Sequence, residues 1–340
     1  MVQRQEDRHR RCERAMDRPA KRATSADVAR VAGVSRTTVS FVLNDKPGQT
    51  IPEETRRRVL EAARSLEYHP HSSARALAAG RSEIVLLSVP DMPIGPGTSR
   101  FIEELAAALV EHGLTLVTHL SGARGRPLPD VCATVNASAV VGFESFDADT
   151  VRALYSAGAE FVFPSQMDDS HSMRAIGRMQ AEYLIGRGHR RIGYAMPANR
   201  GLRTMAEDRL HGVTAACAAA GVAPPVVAST NLEVAAAARA VTEWTAQSVT
   251  GVCAFNDETA IAILAGMREH GLAAPADLAV IGVDDVPTAR LAAPPLTTVS
   301  FALHELSRRR AEVIVAGLTG REPSFTAEAI SPQLVERSSA

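Results

Sequence analysis

Two short stretches hold side chains whose types and spacing suit recognition chemistry. In SRTTVSFVLN, residues 35–44, the apolar Val39, Val42 and Leu43 fall three and four apart and can turn one helical face inward. The other face then presents Arg36, Thr37, Ser40, Phe41 and Asn44. An arginine so placed can offer paired N–H donors to guanine, threonine and serine can reach bases or phosphate, and a phenylalanine can meet the methyl group of thymine. In the second stretch, AVIGVDD, Asp284 follows an apolar run, as Asn256 follows VCAF. Polar side chains there project from strand ends, where open α/β sheets bind ligands. A merely solvated helix face and a role in capping helices or tying down loops are the plain alternatives.

The elements around the first stretch favour recognition. Thr24 with Asp27 three residues on makes a capping box for a helix running to about Ala32. Gly33 ends it, Ser35 caps the next helix, and Val34 lies buried between, the tight helix-turn-helix arrangement. Pro52 starts a third helix whose Val59, Leu60, Ala63 and Leu66 form an inward face. Three short helices then share one small core and leave the stripe outward, where a helix can enter a DNA major groove. Phe41 either stands on that stripe or curls into the core.

Charge is divided in the same sense. The chain of 340 residues has a formal net charge of -1, yet residues 1–80 hold 16 Lys and Arg against 10 Asp and Glu, leaving 21 against 28 in residues 81–340. A basic end suits a polyanion. Residues 1–22 hold eight basic and four acidic residues with no periodic apolar face and are expected to form a disordered basic arm. Met16 offers a later start.

From Ile84 onward, short apolar runs alternate with helical ones. The runs IVLLSV, LTLVTH, SAVVGF, FVFP, RIGYA, VCAFN and LAVIGV read as parallel strands buried on both faces. Helical segments such as 101–112, 257–271 and 303–317 lie between them. The expected fold class is α/β: a three-helix headpiece and a linker, then two doubly wound parallel-sheet subdomains with a cleft between them, a core of the periplasmic-binding-protein type.

Several function classes lack their signatures. No GxGxxG follows the first strand, and GxxxxGK[ST], GxSxG and HExxH are missing. Cys12, Cys132, Cys217 and Cys253 are scattered without CxxC or Cys/His pairing, as in a reducing compartment, and no metal site is expected. With no apolar run of about 18 residues and no apolar segment behind the arginine-rich start, the expectation is a cytoplasmic, nucleoid-associated protein without a membrane partner. No enzyme activity and no cofactor are expected.

TSADVARVAGVSRTTVSFVLN, IPEETRRRVLEAARSLEYHP and ARALA resemble the DNA-binding headpiece of the LacI/GalR family of bacterial transcription regulators. GHRRIGYA, FNDETAIAILAGMREHGLAAPADLAVIGVDD and APPLTTV resemble that family's core, so the resemblance runs from Thr24 nearly to the end. It implies a homodimer on a near-palindromic operator, most simply a repressor, controlled by a small-molecule effector in the cleft. Base reading falls to Arg36, Thr37 and Phe41. Thr24, Ser35, Thr38, Ser40, Asn44, Thr55 and Tyr68 match phosphate-positioning places. In the hinge, Ala74, Arg75 and Leu77 match minor-groove positions, with Leu77 as the kinking wedge beside its counterpart. Arg209, in DRLHG, joins Asn256 and Asp284 as an effector contact. His71 departs from the usual asparagine after the proline.

The implied boundaries are an arm over 1–22, a headpiece over 23–70, a hinge over 71–82 and a core over 83–340. Within the core the first subdomain takes about 83–170 and 300–320, the second about 171–298 and 321–340. The first departs from the family, because PDMPIGPGTSR lacks the usual aromatic and FVFPSQM lacks the usual valine-aspartate-asparagine step. With 4% aromatic residues and the single Trp244 in a helical stretch, sugar stacking looks poorly provided for. A sugar or sugar-derived metabolite is still the first expectation for the effector. A small-molecule-binding protein and a sugar-modifying enzyme with a DNA-binding head are the alternatives.

Overall fold

In a computed structural model the chain divides into two units, residues 1–82 and 83–340. The structure describes residues 23–43, 51–68, 82–122, 125–143, 145–163, 170–323 and 331–340.

The first unit holds α1 (Ser25–Ala32), α2 (Arg36–Leu43) and α3 (Glu53–Ser65). Thr24 caps α1 through the reciprocal box: the Asp27 N–H donates to Thr24 Oγ1 at 3.3 Å, and the Thr24 N–H donates to Asp27 Oδ2 at 3.0 Å. The Thr24 hydroxyl, which donates to Asp27 Oδ2 at 2.7 Å, and the Thr24 N–H hold the Asp27 carboxyl below its ordinary pKa. Gly33 stops the helix at φ 66°, a left-handed geometry that glycine takes at little cost. The core is built from small residues: Val28, Ala29, Ala32, Val39, Val42, Val59, Ala62 and Ala63, with Val34, Leu43, Ile51, Leu66 and Tyr68 packed against it. Leu60, expected inward, is 36% exposed. The inward stripe of α3 is Val59, Ala62, Ala63 and Leu66, the spacing of three, four and seven that one helical face requires.

The second unit has two lobes. The first comprises β1 (Ile84–Pro90), α4 (Pro96–Val110), β2 (Thr115–Ser121), α5 (Leu128–Val135), β3 (Ala139–Gly142), α6 (Ala148–Ser156) and β4 (Phe161–Phe163), with strand order β2-β1-β3-β4, all parallel. The second comprises α7 (Ser170–Gly186), β5 (Ile192–Pro197), α8 (Arg203–Ala219), β6 (Val226–Thr230), α9 (Val234–Ala246), β7 (Gly251–Ala254), α10 (Asp257–Glu269), β8 (Ala279–Val283) and β9 (Thr297–Ser300). Helix α11 (Leu303–Thr319) follows, then β10 (Gln333–Val335). The second sheet runs β10-β9-β8-β7-β5-β6 and is parallel except for β10 against β9. After β9 the chain crosses back, and Ala311 and Ile314 of α11 pack with Leu105, Leu109 and Val85 of the first lobe.

Strands β1, β3, β7 and β8 are buried throughout their centres, as near-continuous apolar runs require. Strand β2 is not buried on both faces as expected: it is an edge strand, half or fully exposed along its length. At the edge of the second sheet, β6 alternates buried and exposed residues, and this period-2 pattern is why VVAST does not announce itself as an apolar run.

Both sheets reverse their strand order between neighbours, at β1/β3 and at β5/β7. In doubly wound sheets that crevice, beyond the carboxyl ends of the strands, is where ligands bind.

Candidate functional site

On the first unit, the second helix offers a polar face. Arg36 and Thr37 are exposed, Ser40 and Phe41 half-buried. Phe41 stands outside the core cluster, so its ring belongs to the outward stripe. Ser35 and Thr38 are engaged with each other: the Thr38 N–H donates to Ser35 Oγ at 3.0 Å, and the two hydroxyls lie 2.9 Å apart. Thr24 is likewise engaged in its capping box. Thr55 is half-buried at the start of α3, and Tyr68 packs on the small core. Asn44 of the headpiece, and Ala74, Arg75 and Leu77 of the hinge, lie outside the described residues.

On the second unit a cavity of about 380 Å³ opens at the carboxyl ends of β1, β3, β5, β6, β7 and β8. That volume lies within the range of small-molecule sites. It brings together Arg209, Asn256 and Asp284, which the sequence places far apart.

Arg209, on α8, is 6% exposed. Its Nη1 donates to the Phe255 carbonyl, and its guanidinium sits 4.5 Å from the centre of the Phe255 ring. Its Nε has no partner among the described residues. Asn256 is the N-cap of α10: its Oδ1 accepts from the Thr259 N–H at 2.9 Å and from Thr259 Oγ1 at 2.7 Å. The capping role and the cavity position therefore coexist, and the amide N–H₂ is what Asn256 has left to offer a ligand.

Asp284 follows β8 with φ 105°, and Asp285 follows at φ 46°. The carboxylate of Asp284 lies against the first turn of α4 in the other lobe, so close that a Cβ built on Gly97 would stand 2.8 Å from its Oδ2. Burial raises its pKa to about 6; Arg209 lowers it and Glu258 adds to the rise. Glu258 meets the same helix start, where a Cβ on Gly95 would stand 2.7 Å from its Oε2. Burial raises its pKa too. A helix N-terminus, with its unsatisfied N–H groups and positive dipole end, suits both carboxylates.

The strained turn is held from beneath by Asp257, a residue the sequence reading passed over. Fully buried, it accepts from the Val286 N–H at 2.9 Å and from Thr298 Oγ1 at 2.6 Å. Burial raises its pKa to about 7, against these hydrogen bonds and with help from Asp284 and Asp285. Gln180 of α7 ties the ends of β7 and β8, donating to the carbonyls of Ala254 at 2.9 Å and of Ile281 and Gly282 at 3.2 Å. Asp285 is drawn away from the cavity by Arg337, at 2.5 Å.

The expected shortage of aromatic surface is corrected by Phe101, Phe143, Phe255 and Phe301, all of which line the cavity. Phe101 and Phe143 meet edge to face with ring centres 5.1 Å apart. Phe143 and Phe255 each close an apolar run, so the signal was their strand-end position and not the overall aromatic content. PDMPIGPGTSR, without an aromatic, contributes Pro93, Gly95, Gly97 and Thr98 to the wall. Arg310 also lines the cavity, 5.1 Å from the Phe101 ring centre. Among the described residues no group of three or more His, Cys, Asp and Glu side chains can hold a metal ion.

Comparison with known proteins gives a consistent result. Residues 24–71 match the family described as bacterial regulatory proteins, lacI family, and residues 181–340 match the periplasmic binding protein-like domain. The chain is 30% identical to the HTH-type transcriptional regulator GalR of Escherichia coli (strain K12), covering 93% of this chain and 95% of that protein. It is 28% identical to the HTH-type transcriptional regulator DegA of Bacillus subtilis (strain 168), over 94% and 98% of the two chains. Among solved structures, a lac repressor dimer bound to operator and the anti-inducer ONPF superposes with TM-score 0.75 at 22% identity, covering 94% of this chain and 99% of that one. A complex of the transcriptional regulator CelR with cellobiose superposes with TM-score 0.64 at 27% identity, covering 94% and 100%.

Proposed function

Because the chain belongs to the lacI family of bacterial regulatory proteins, we propose that it is a homodimeric repressor that reads a near-palindromic operator and answers to a small metabolite held in the core cavity. It acts in the cytoplasm and without catalysis. The observation that carries this reading is the convergence of Arg209, Asn256 and Asp284 on one cavity at the strand ends of both lobes.

In the headpiece, Arg36, Thr37 and Phe41 face outward from α2 and suit base edges in the major groove. Ser35, which accepts from the Thr38 N–H, caps this helix, and Thr24 caps α1 before it. In the core, Arg209 and the Asn256 amide donate to the ligand and Asp284 accepts from it. The ligand is a sugar or sugar-derived metabolite, a class in keeping with the cellobiose bound by CelR. It shifts DNA affinity only by its preference between two lobe arrangements, a coupling of about 1–3 kcal/mol in typical cases. No described helix is long and apolar enough to cross a membrane.

The test is selection of bound sequences from a random DNA pool by the purified full chain, with and without a fraction of cellular small metabolites. Enrichment of a near-palindrome is expected, with binding that weakens steeply as salt rises. The metabolite fraction should alter the affinity of the wild type, and Asp284→Ala should retain DNA binding while losing that response. Failure to enrich any sequence in either arm overturns the reading.

A further inference from the structure

The cavity described above is divided, and the division specifies its ligand more closely. Six of its apolar side chains, Phe101, Phe143, Leu202, Met205, Leu303 and Leu306, belong to one continuous cluster packed on the four-stranded lobe. They arrive from four places: α4, the end of β3, the N-terminus of α8, and α11. Phe101 and Phe143 already meet edge to face, an arrangement that a third ring can extend. Met205 brings a thioether, which also favours an aromatic neighbour. Among the described residues, the polar side chains that the four-stranded lobe and α11 add to the wall are Thr98 and Arg310, and Arg310 is stacked over the Phe101 ring.

The opposite side serves hydroxyl groups in both directions. Asn199, Asn231 and Asn256 line it, each with Oδ1 engaged by a backbone N–H, of Gly201, Glu233 and Thr259 respectively, so each presents its N–H₂ as a donor. Thr230 Oγ1 donates to the Asn231 carbonyl at 3.2 Å and Thr259 Oγ1 to Asn256 Oδ1 at 2.7 Å, which leaves both hydroxyl oxygens able to accept. Asp284 is a further acceptor, and Arg209 a further donor whose Nε has no partner among the described residues. A ligand hydroxyl, which both donates and accepts, finds both kinds of partner here.

A ligand hydroxylated on every side would turn some of those hydroxyls toward phenylalanine, leucine and methionine, and each one buried without a partner weakens binding. The C–H face of a bare pyranose covers one aromatic face, whereas the apolar wall closes in from four elements. We propose that the effector is amphiphilic: a hydroxylated head taken by Arg209, Asn256 and Asp284, joined to an apolar group about the size of a phenyl ring that lies among Phe101, Phe143, Met205 and Leu306. The inference rests on the reading of this cavity as the effector site, and it narrows a sugar-derived metabolite to one that carries an aryl group.

Titration calorimetry of the full chain with glycosides that share a head and differ in the apolar group tests this: phenyl against methyl β-D-glucopyranoside, and phenyl against methyl β-D-galactopyranoside. In the wild type the phenyl member of at least one pair should bind at least about tenfold tighter, a factor that burial of most of a phenyl ring supplies. Met205→Gln and Leu306→Gln, both at half-buried positions, should each cut that preference to less than about threefold, and either variant suffices if the other fails to fold. Asp284→Ala should weaken both members of the responding pair by similar factors and leave their ratio. Equal or tighter binding of both methyl members, no binding by either phenyl glycoside, or a phenyl preference untouched by the glutamine variants overturns the proposal and leaves the cavity reading to its own test. Binding of both members untouched by Asp284→Ala places the probes elsewhere and overturns that reading and the proposal together.

Discussion

The two lobes of the core meet the same cavity with different means. The six-stranded lobe buries polar groups and ties them to one another: Asp257 to Val286 and Thr298, Gln180 to three strand-end carbonyls, and Ser339 Oγ to the Val280 carbonyl at 2.6 Å and the Thr297 N–H at 2.8 Å. The four-stranded lobe meets the cavity with apolar surface, Phe101 and Phe143 above all, and with the Arg310 of a helix borrowed from after β9. Fixed hydrogen bonds anchor the turn that carries Asp284, from its own N–H to the Val299 carbonyl and from the Val286 N–H to Asp257. Apolar packing sets shape and tolerates adjustment. The polar lobe thus offers the cavity fixed groups and the other lobe an apolar wall.

The comparison is broken most severely through the apolar lobe. Phe101 is 5% exposed and touches Phe143 and Arg310. Phe101→Ala should cost about 3–5 kcal/mol, read as a lowered urea midpoint. Hydrogen exchange should show protection lost over 84–163 and 303–319 and kept over 192–300. Uniform loss in both lobes would show that they do not differ in this way.

Asp257→Ala is the matching break in the polar lobe. It leaves the Val286 N–H and the Thr298 hydroxyl without an acceptor, at about 1–3 kcal/mol for each buried group. Protection should now fall around 279–300. The effector response should fall with it, since the positive-φ turn of Asp284 and Asp285 loses its anchor at Val286.

The legibility of the sequence divides along the same line. The strand-end aspartate of AVIGVDD and the asparagine after VCAF are visible because a polar residue ending an apolar run has few explanations. Asp257 was missed because, next to Asn256, it reads as an ordinary acidic residue in the first turn of a helix. Only the fold brings Thr298 onto it. Arg310 belongs to the run Arg308–Arg310, and a charge run on a helix reads as a solvated face. Arg308 fits that reading, with both Glu305 and Glu312 as partners; Arg310, two positions on, turns inward. Leu60 was misplaced by one helical position, which is enough to move a side chain from the core to the surface.

A smaller effect sharpens the contrast through pH. Burial holds the Asp257 pKa at about 7 and that of Asp284 at about 6, against an ordinary value of 3.8. The folded state therefore holds these protons more tightly than the unfolded chain does. Their contribution to stability is complete below about pH 4 and is lost as pH rises through 6 and 7. Urea midpoints should decline from pH 5 to pH 8, and Asp257→Asn should flatten most of that decline. An unchanged slope in the variant would place the titration elsewhere. Among the described residues the four-stranded lobe gives the cavity no carboxylate, so hydrogen exchange over 84–163 should vary little across the same range.

The smallest effects test whether burial, and not charge pairing as such, is what the polar lobe uses. Glu336 and Arg337 are neighbours, and each makes an ion pair within the second lobe. Arg337 meets Asp285 at 2.5 Å with side chains 13% and 16% exposed, whereas Glu336 meets Arg187 at 2.9 Å with side chains 57% and 49% exposed. Asp285→Asn keeps a residue that tolerates φ 46° and removes only the charge, so about 1–2 kcal/mol should be lost. Glu336→Gln should change stability by less than about 0.5 kcal/mol, and that difference should vanish in high salt. Equal costs for the two variants would mean that water screens the inner pair as well as the outer. The orientation of Asp284 would then rest on Asp257 alone.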